Sequence, residues 1–345
     1  MPAALLADLI RAARGGPLAV LARVERELLP MGFTARRTKG EPTAVLFARG
    51  APRFVLSGHV DVVPVGEGWT REPFGGQTAE GRVWGRGASD MLGSVACFVA
   101  AARATRSPCA ILLTTDEETT MRAAELAIEE GLLSGFDGVV VGEPTSMQVG
   151  IAEKGVLWVR VDAVGTNAHG SMPELGDNAV ARIVRIADRL ANYRPPGKHP
   201  LLGEATASLD RIGGGEAVNQ VPATAFLELD VRYLPGTSQE DVLRAVRDAV
   251  APEHEKASVS AISSHLPFET SADAPLARAA LAAGGRGTVA LPYGTEASKY
   301  APAGIPTIIL GPGDPAVAHT DHESIAIADL DAGARAYAAL LDGVR

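Results

Sequence analysis

Apolar residues recur every three to four positions through residues 1–30, at Leu5, Leu6, Leu9 and Ile10 and again at Leu18, Val20, Leu21, Val24 and Leu28. That period predicts helix. Short apolar runs near 44–48 and 53–57 predict strands. An alanine-rich stretch from Met91 to about Arg106 reads as helix, followed by a strand at 110–115, a helix near 120–133 and a strand at 138–142. Such alternation is the mark of an α/β layer with a mainly parallel mixed sheet flanked by helices. The pattern then changes. Residues 156–164 alternate apolar and polar, as a half-exposed strand does. A helix at about 177–191, strands near 205–212 and 223–232, a helix at 238–250 and a strand at 257–264 follow. The order β-α-β-β-α-β is that of the ferredoxin-like split unit. The first style resumes with a helix near 274–284, a strand at 307–310 and a closing helix from about 328 to 343. We therefore expect an α+β domain at 156–267 inserted into a larger α/β domain made of 1–155 and 268–345.

Charged and imidazole side chains sit where these strands end. His59 and Asp61 follow the run starting at Phe54, and Asp90 immediately precedes the helix that starts at Met91. Glu117 and Glu118 follow the strand at 110–115, Glu143 follows 138–142, and His319 comes after 307–310. Open parallel sheets place their ligands at the carboxyl ends of the strands. Hard oxygen and imidazole donors converging there predict a metal site, and their number predicts two ions. Two adjacent glutamates directly after a buried strand repel each other. A cation removes that repulsion for one and leaves its neighbour to work as a base. Asp90 also has an ordinary reading as a helix N-cap.

Composition narrows the partners. The chain has 345 residues, enough for two domains, and 46% hydrophobic residues. A formal net charge of -9 supplies no basic surface for phosphate, so no nucleic-acid partner is expected. No apolar run approaches the ~20 residues that span a bilayer, and the first residues lack a basic segment followed by an apolar core. A cytoplasmic protein with no membrane partner is expected. Cys97 and Cys109 read as buried free thiols. Gly85 and Gly87 resemble part of a dinucleotide fingerprint, but the third glycine is missing and Asp90 follows, which makes a poor phosphate cradle. His199, His254 and His265 read as surface residues.

The segments GHVDVVP (58–64), GRVWGRGASDMLG (81–93), TTDEE (114–118), GEPT (142–145) and AHTDHE (318–323) occur in this order. Together they resemble the co-catalytic zinc amidohydrolases that include acetylornithine deacetylase, succinyl-diaminopimelate desuccinylase, aminoacylase-1 and several carboxypeptidases. The resemblance runs from about residue 40 to the end. It implies that His59, Asp90 and Glu143 hold one divalent ion and that Asp90, Glu118 and His319 hold the other. The ions are expected to be zinc, with cobalt as an alternative. By the same resemblance Glu117 is the general acid/base, Asp61 supports His59, and the peptide bond between Asp90 and Met91 is cis. A glutamate at Glu143 resembles the deacylases and carboxypeptidases, which implies an N-acyl amino acid as substrate.

The inserted domain resembles the family's lid and dimerisation domain, which implies a homodimer. The segment 165–179 carries His169 where the family has a histidine that reaches an active site, often the partner subunit's. The segment 213–236 carries Asn219 and Arg232 where the family contacts substrate. A guanidinium forks two bonds to a carboxylate, which suits an amino acid. Arg232 on a solvated strand face is the ordinary alternative. Gly294, Thr295 and Glu296 lie in the segment that reads the substrate, and it looks more like acetylornithine deacetylase than the desuccinylase. Glu296 either attracts a cationic side chain such as that of ornithine or is a solvated loop charge. The expected reaction is amide hydrolysis of an acetylornithine-like N-acyl amino acid. A desuccinylase, a carrier-protein lysine/ornithine hydrolase, and a non-catalytic metal-binding regulator of the same fold remain as alternatives, and the intact Glu117 argues against the last.

Overall fold

Four apolar runs, Cys109–Thr114, Phe54–His59, Gly138–Val141 and Thr307–Ile309, lie side by side and parallel in that order. The computed structural model describes residues 1–343. These runs are buried along their whole length, as expected of strands covered on both faces. One face carries Phe54, Leu56, Ile111 and Leu113 into a cluster with the helices Pro2–Ala13, Leu92–Ala104 and Ile327–Gly343. The other face, with Val55, Leu112, Val139 and Val141, is equally buried. The helix Arg122–Glu129 presents Ala123, Ala124 and Ala127 inward and packs on Ala44–Arg49. Phe98 meets Tyr337 edge to face at 4.8 Å, and each ring contributes about 1.5–3 kcal/mol by burial.

The predicted helix over residues 1–30 is two helices, Pro2–Ala13 and Pro17–Leu28. Gly16 at φ 83° makes the break, and Pro17 starts the second helix. Thr34–Arg37 and Ala44–Arg49 extend the sheet antiparallel beyond Cys109–Thr114. On the far side Val149–Glu153 pairs antiparallel with Thr307–Ile309. The Asp90–Met91 peptide bond is cis. Among the described residues, no helix is long and apolar enough to cross a membrane.

The chain divides into two units. One contains Met1–Ala152, Glu269–Ala290 and the residues from Thr295 onward, and the other contains Glu153–Phe268 and Leu291–Gly294. The expected continuous segment 268–345 is thus interrupted. Leu291–Gly294 belongs with the inserted residues because Lys154 N–H bonds to Leu291 C=O at 3.3 Å.

The inserted unit is a four-stranded antiparallel sheet in the order Thr206–Gly214, Thr224–Tyr233, Gly155–Val164, Ala257–His265. Leu157, Val159, Val161, Leu227, Leu229 and Val231 alternate onto one face beneath Ala179–Leu190 and Gln239–Val250. Asn178 caps the first helix, and Ser238 with Asp241 forms a capping box on the second. The other face is charged. Arg160 bonds Asp162 and Glu228 and lies 4.1 Å over the Phe226 ring.

Candidate metal centre

The strand Phe54–His59 ends on the imidazole, and the chain after the parallel strand Cys109–Thr114 carries Glu117 and Glu118. Glu143 follows Gly138–Val141 by two residues. Two glycines let the next element come close. A Cβ on Gly58 would stand 2.6 Å from Met91 Cε, and one on Gly142 would stand 2.5 Å from the Phe98 ring. Real Cβ atoms do not show such distances, so a side chain at either position would force Met91 or Phe98 to shift.

His59 is buried. Its Nδ1 bonds the Asp61 carbonyl oxygen at 2.9 Å, which leaves Nε2 to face Asp90 Oδ1 at 3.1 Å and Glu143 Oε1 at 3.5 Å. The other oxygen of Asp90, Oδ2, faces His319 Nε2 at 3.2 Å, and His319 also meets Glu118 Oε1 at 3.1 Å. One carboxylate therefore presents its two oxygens to two imidazoles, each with a glutamate beside it. Donor atoms of His59, Asp90 and Glu118, and of His59, Glu117 and Glu143, lie within 4.8 Å of one another.

Asp61 was expected to support His59. Its backbone carbonyl bonds Nδ1 and its carboxylate faces the same nitrogen at 3.5 Å, while each carboxylate oxygen also accepts a backbone N–H, from Glu117 at 3.1 Å and from Glu118 at 3.0 Å. A single side chain thus ties the His59 strand to both glutamates.

Burial, and after it the charges of Glu118, Asp90 and Glu296, push Glu117 well above the usual carboxylate range against the pull of His59. Burial and the charge of Asp90 do the same to Glu143. Burial opposes ionisation of Asp90 too, but His319 and His59 hold it low. Hydrogen bonds to Asp90 and Glu118 raise His319 to about 10. Among the described residues, no arginine or lysine forms an ion pair with Asp90, Glu117, Glu118 or Glu143. Four carboxylates and two imidazoles crowded in this way, with hard donors facing inward, suit divalent cations. The residues present fit two such ions sharing Asp90.

Glu296 differs from both readings made of it. It is 1% exposed, so it is neither a solvated loop charge nor an open attractor for a cation. The short helix Ala297–Tyr300 that follows it is itself packed inward and carries the carboxyl against Ser57, at 3.4 Å, and the Tyr300 hydroxyl, at 3.0 Å. Burial raises its pKa to about 7. Thr295 is buried beside it and its hydroxyl accepts from Ala297 N–H at 3.1 Å, while Gly294 is half-buried in the inserted unit.

His169, Asn219 and Arg232 all lie in the inserted unit. The structure brings the first two together. His169 pairs with Gln220 in a short ladder, and Gly170 N–H bonds the Asn219 carbonyl at 2.7 Å. His169 is exposed, and its Nδ1 accepts the Ser171 N–H at 3.2 Å. In the neutral ring the hydrogen is therefore on Nε2, a donor. Arg232 forks onto Asp230 of its own strand at 2.7 and 2.8 Å. His199 and His265, expected at the surface, are half-buried.

Sequence reasoning passed over Glu323 and Arg86. Both stand inside the quoted segments, AHTDHE and GRGASD, and form a buried ion pair at 2.7 Å.

Comparison with known proteins gives the family. The model of "Peptidase family M20/M25/M40" matches residues 55–343. A succinyl-diaminopimelate desuccinylase of Cereibacter sphaeroides is 34% identical over 277 residues, 72% of each chain. An acetylornithine deacetylase of Salmonella arizonae is 33% identical over 291 residues, 79% of this chain and 76% of that one. The crystal structure of an M20 family metallo-carboxypeptidase from Sulfolobus solfataricus shares the fold, with a TM-score of 0.80 at 17% identity over 97% of each chain. With the family model spanning both units and relatives of this identity covering most of the chain, this protein is a hydrolase of amide bonds that belongs to peptidase family M20/M25/M40.

Proposed function

We propose that this chain hydrolyses the amide bond of an N-acyl amino acid at a centre holding two divalent cations, zinc or cobalt. The observation that carries this reading is Asp90, whose two oxygens face His59 and His319. His59, Asp90 and Glu143 hold one ion, and Asp90, Glu118 and His319 hold the other. When bound, two such ions would supply Lewis acidity, lowering the pKa of a water and polarising the acyl oxygen.

The chain's own residues do the rest. Glu117 is buried, and burial with the neighbouring carboxylates holds its carboxyl well above the usual carboxylate range. It takes the proton from the water and later delivers it to the leaving amine, a role that needs a pKa near the working pH. Asp61 fixes the backbone of Glu117 and Glu118 relative to His59. The exposed Nε2–H of His169 is suited to donate to the acyl oxygen as it becomes negative. Asn219 adjoins that ladder, its carbonyl bonded to Gly170 N–H, and touches the substrate with His169. Gly294 and Thr295 line the acyl amino acid. Arg232 takes the substrate carboxylate after exchanging its bond to Asp230. The residues 156–267 act as a lid and carry the contact of a homodimer, while 1–155 and 268–345 form the catalytic domain.

The two curated relatives differ in acyl group and stand at 34% and 33% identity, so both acyl classes belong in the test. The protein is assayed with Zn²⁺ and with Co²⁺ against N-acetyl, N-succinyl and N-formyl amino acids. Release of free amino acid from one of them, abolished by chelation, is expected. Metal uptake without hydrolysis of any of them refutes the substrate class.

A further inference from the structure

Glu323 is completely buried and accepts five hydrogen bonds, four of them on its carboxylate. Oε1 takes the backbone N–H of Ser89 at 2.9 Å and of Asp90 at 3.1 Å. Oε2 takes the Gly87 N–H at 3.1 Å and the Arg86 guanidinium at 2.7 Å. Its main-chain carbonyl takes the Gly85 N–H at 3.0 Å. The loop 85–90, which delivers Asp90, is therefore wrapped around one side chain that comes from residues 318–323.

Arg86 extends the link. It is 2% exposed, and its Nη2 donates to the His319 carbonyl oxygen at 3.4 Å. His319 is a non-glycine residue at φ 63°, a left-handed conformation that persists only where neighbours hold it. Arg86 lies 5.2 Å from the Trp69 ring, and its own N–H bonds Pro73 C=O at 2.8 Å, so it is held from a third segment. Neither Glu323 nor Arg86 faces the donor atoms of the centre, so both act through other residues.

We propose that Glu323 and Arg86 are positioning residues that fix the spacing between Asp90 and His319 and so set the affinity of the second divalent cation. The inference rests on the two-cation reading given above. Among the ligands Arg86 bonds His319 directly and reaches Asp90 only through Glu323, whereas Glu323 bonds Asp90, which serves both ions. The two residues therefore leave different signatures. Loosening Glu323 weakens both ions. Shortening Arg86 weakens the ion at His319 and spares the one at His59 and Glu143.

Metal-free protein is titrated with Co²⁺ and followed by calorimetry and visible absorbance. Arg86→Lys keeps a positive charge for Glu323 but its single ammonium cannot also reach the His319 carbonyl. It is expected to weaken the second Co²⁺ about 10-fold, the lower end of what lost supporting bonds cost, with the first little changed. Whichever way the Glu323→Gln amide turns, its N–H₂ faces two donors, either Ser89 and Asp90 N–H or Gly87 N–H and Arg86, so the loop that carries Asp90 loosens and both ions are expected to weaken by about 10–100-fold. Val99→Ala, in the buried helix behind the site, lowers stability without touching the loop and should keep both affinities. If Glu323→Gln does not fold, Arg86→Lys decides alone. Two wild-type binding steps with Arg86→Lys unchanged overturn the clamp while leaving the two-cation reading intact. Equal weakening of both steps by Arg86→Lys also overturns it, because the effect is then general loosening. A wild-type protein that takes up fewer than two ions refutes the two-cation reading itself, and the clamp falls with it.

Discussion

Asp61→Asn tests how the centre is assembled, because one carboxylate spans two strand ends. Asp61 is 8% exposed, and each of its oxygens accepts one backbone N–H, from Glu117 at 3.1 Å and Glu118 at 3.0 Å. Asparagine has a single acceptor oxygen. Whichever way the amide turns, its N–H₂ meets one of the two N–H groups. One charge-assisted bond is lost, about 1.5–3 kcal/mol, and a buried donor is left without an acceptor, about 1–3 kcal/mol more. Since these partly count the same loss, the expected destabilisation is about 3 kcal/mol. For a domain of this size that is roughly 6–12 °C in Tm. The expected loss of metal affinity is about 10–100-fold, since the carboxylate holds the Glu118 backbone N–H and faces His59 Nδ1 at 3.5 Å.

The pH dependence supplies a second reading of the same variant. Burial raises the pKa of Asp61, but His59 and the N–H bonds outweigh it and hold the group below its ordinary value of 3.8. A lowered carboxyl stabilises the fold above its unfolded pKa, and this is lost as pH falls through the folded one. The wild-type advantage over Asp61→Asn should therefore be constant near neutrality and shrink only below pH 3.8. Thermal unfolding of the metal-free proteins across pH measures it, with Zn²⁺ titration alongside. A Tm within about 2 °C of wild type and unchanged Zn²⁺ affinity would refute the role given to the Asp61 carboxylate.

Three further outcomes are expected. Glu117→Ala should retain both metals yet lose about 10²–10⁴ in turnover, and activity within tenfold of wild type would remove Glu117 as the base. His169→Ala should lower kcat about 10²–10³ at unchanged metal content. Mixed with Glu117→Ala, it should regain activity through heterodimers if His169 serves the partner's site; subunit exchange without recovery excludes that. For Glu296, burial raises the pKa from 4.5 to about 7 in the metal-free protein, so its contribution is fully present below 4.5 and lost as pH rises through 7. Glu296→Gln should accordingly flatten the decline in metal-free stability over that window, and an identical decline in both proteins would show that the carboxyl does not titrate there.

What the sequence determined is what depends on neighbours along the chain. Apolar runs such as Phe54–Val55–Leu56 and Ile111–Leu112–Leu113 predict buried strands by themselves, and the order of helices and strands predicts an inserted βαββαβ unit. Ligand types follow from residues one to three positions past those runs, because a parallel sheet carries all of its strand ends to one edge. His319 was legible only through its segment, since nine residues separate it from Ile309. Short strands were not legible. Thr34–Arg37 is exposed at every position and shows no alternation, and Gln77–Ala79 and Arg82–Trp84 are three residues each.

The tertiary structure alone decided the contacts that give charged residues their chemistry. Local sequence left Glu296 as either a loop charge or an attractor for a cationic substrate, yet Ser57, 239 positions away, receives it in the interior. Asp61 supports two residues 56 and 57 positions ahead of it, and Glu323 holds a loop more than 230 positions behind it. Local sequence encodes periodicity and turn chemistry. A carboxylate's environment is set by whatever surface folding brings against it, and here those surfaces come from segments that only the sheet order makes neighbours.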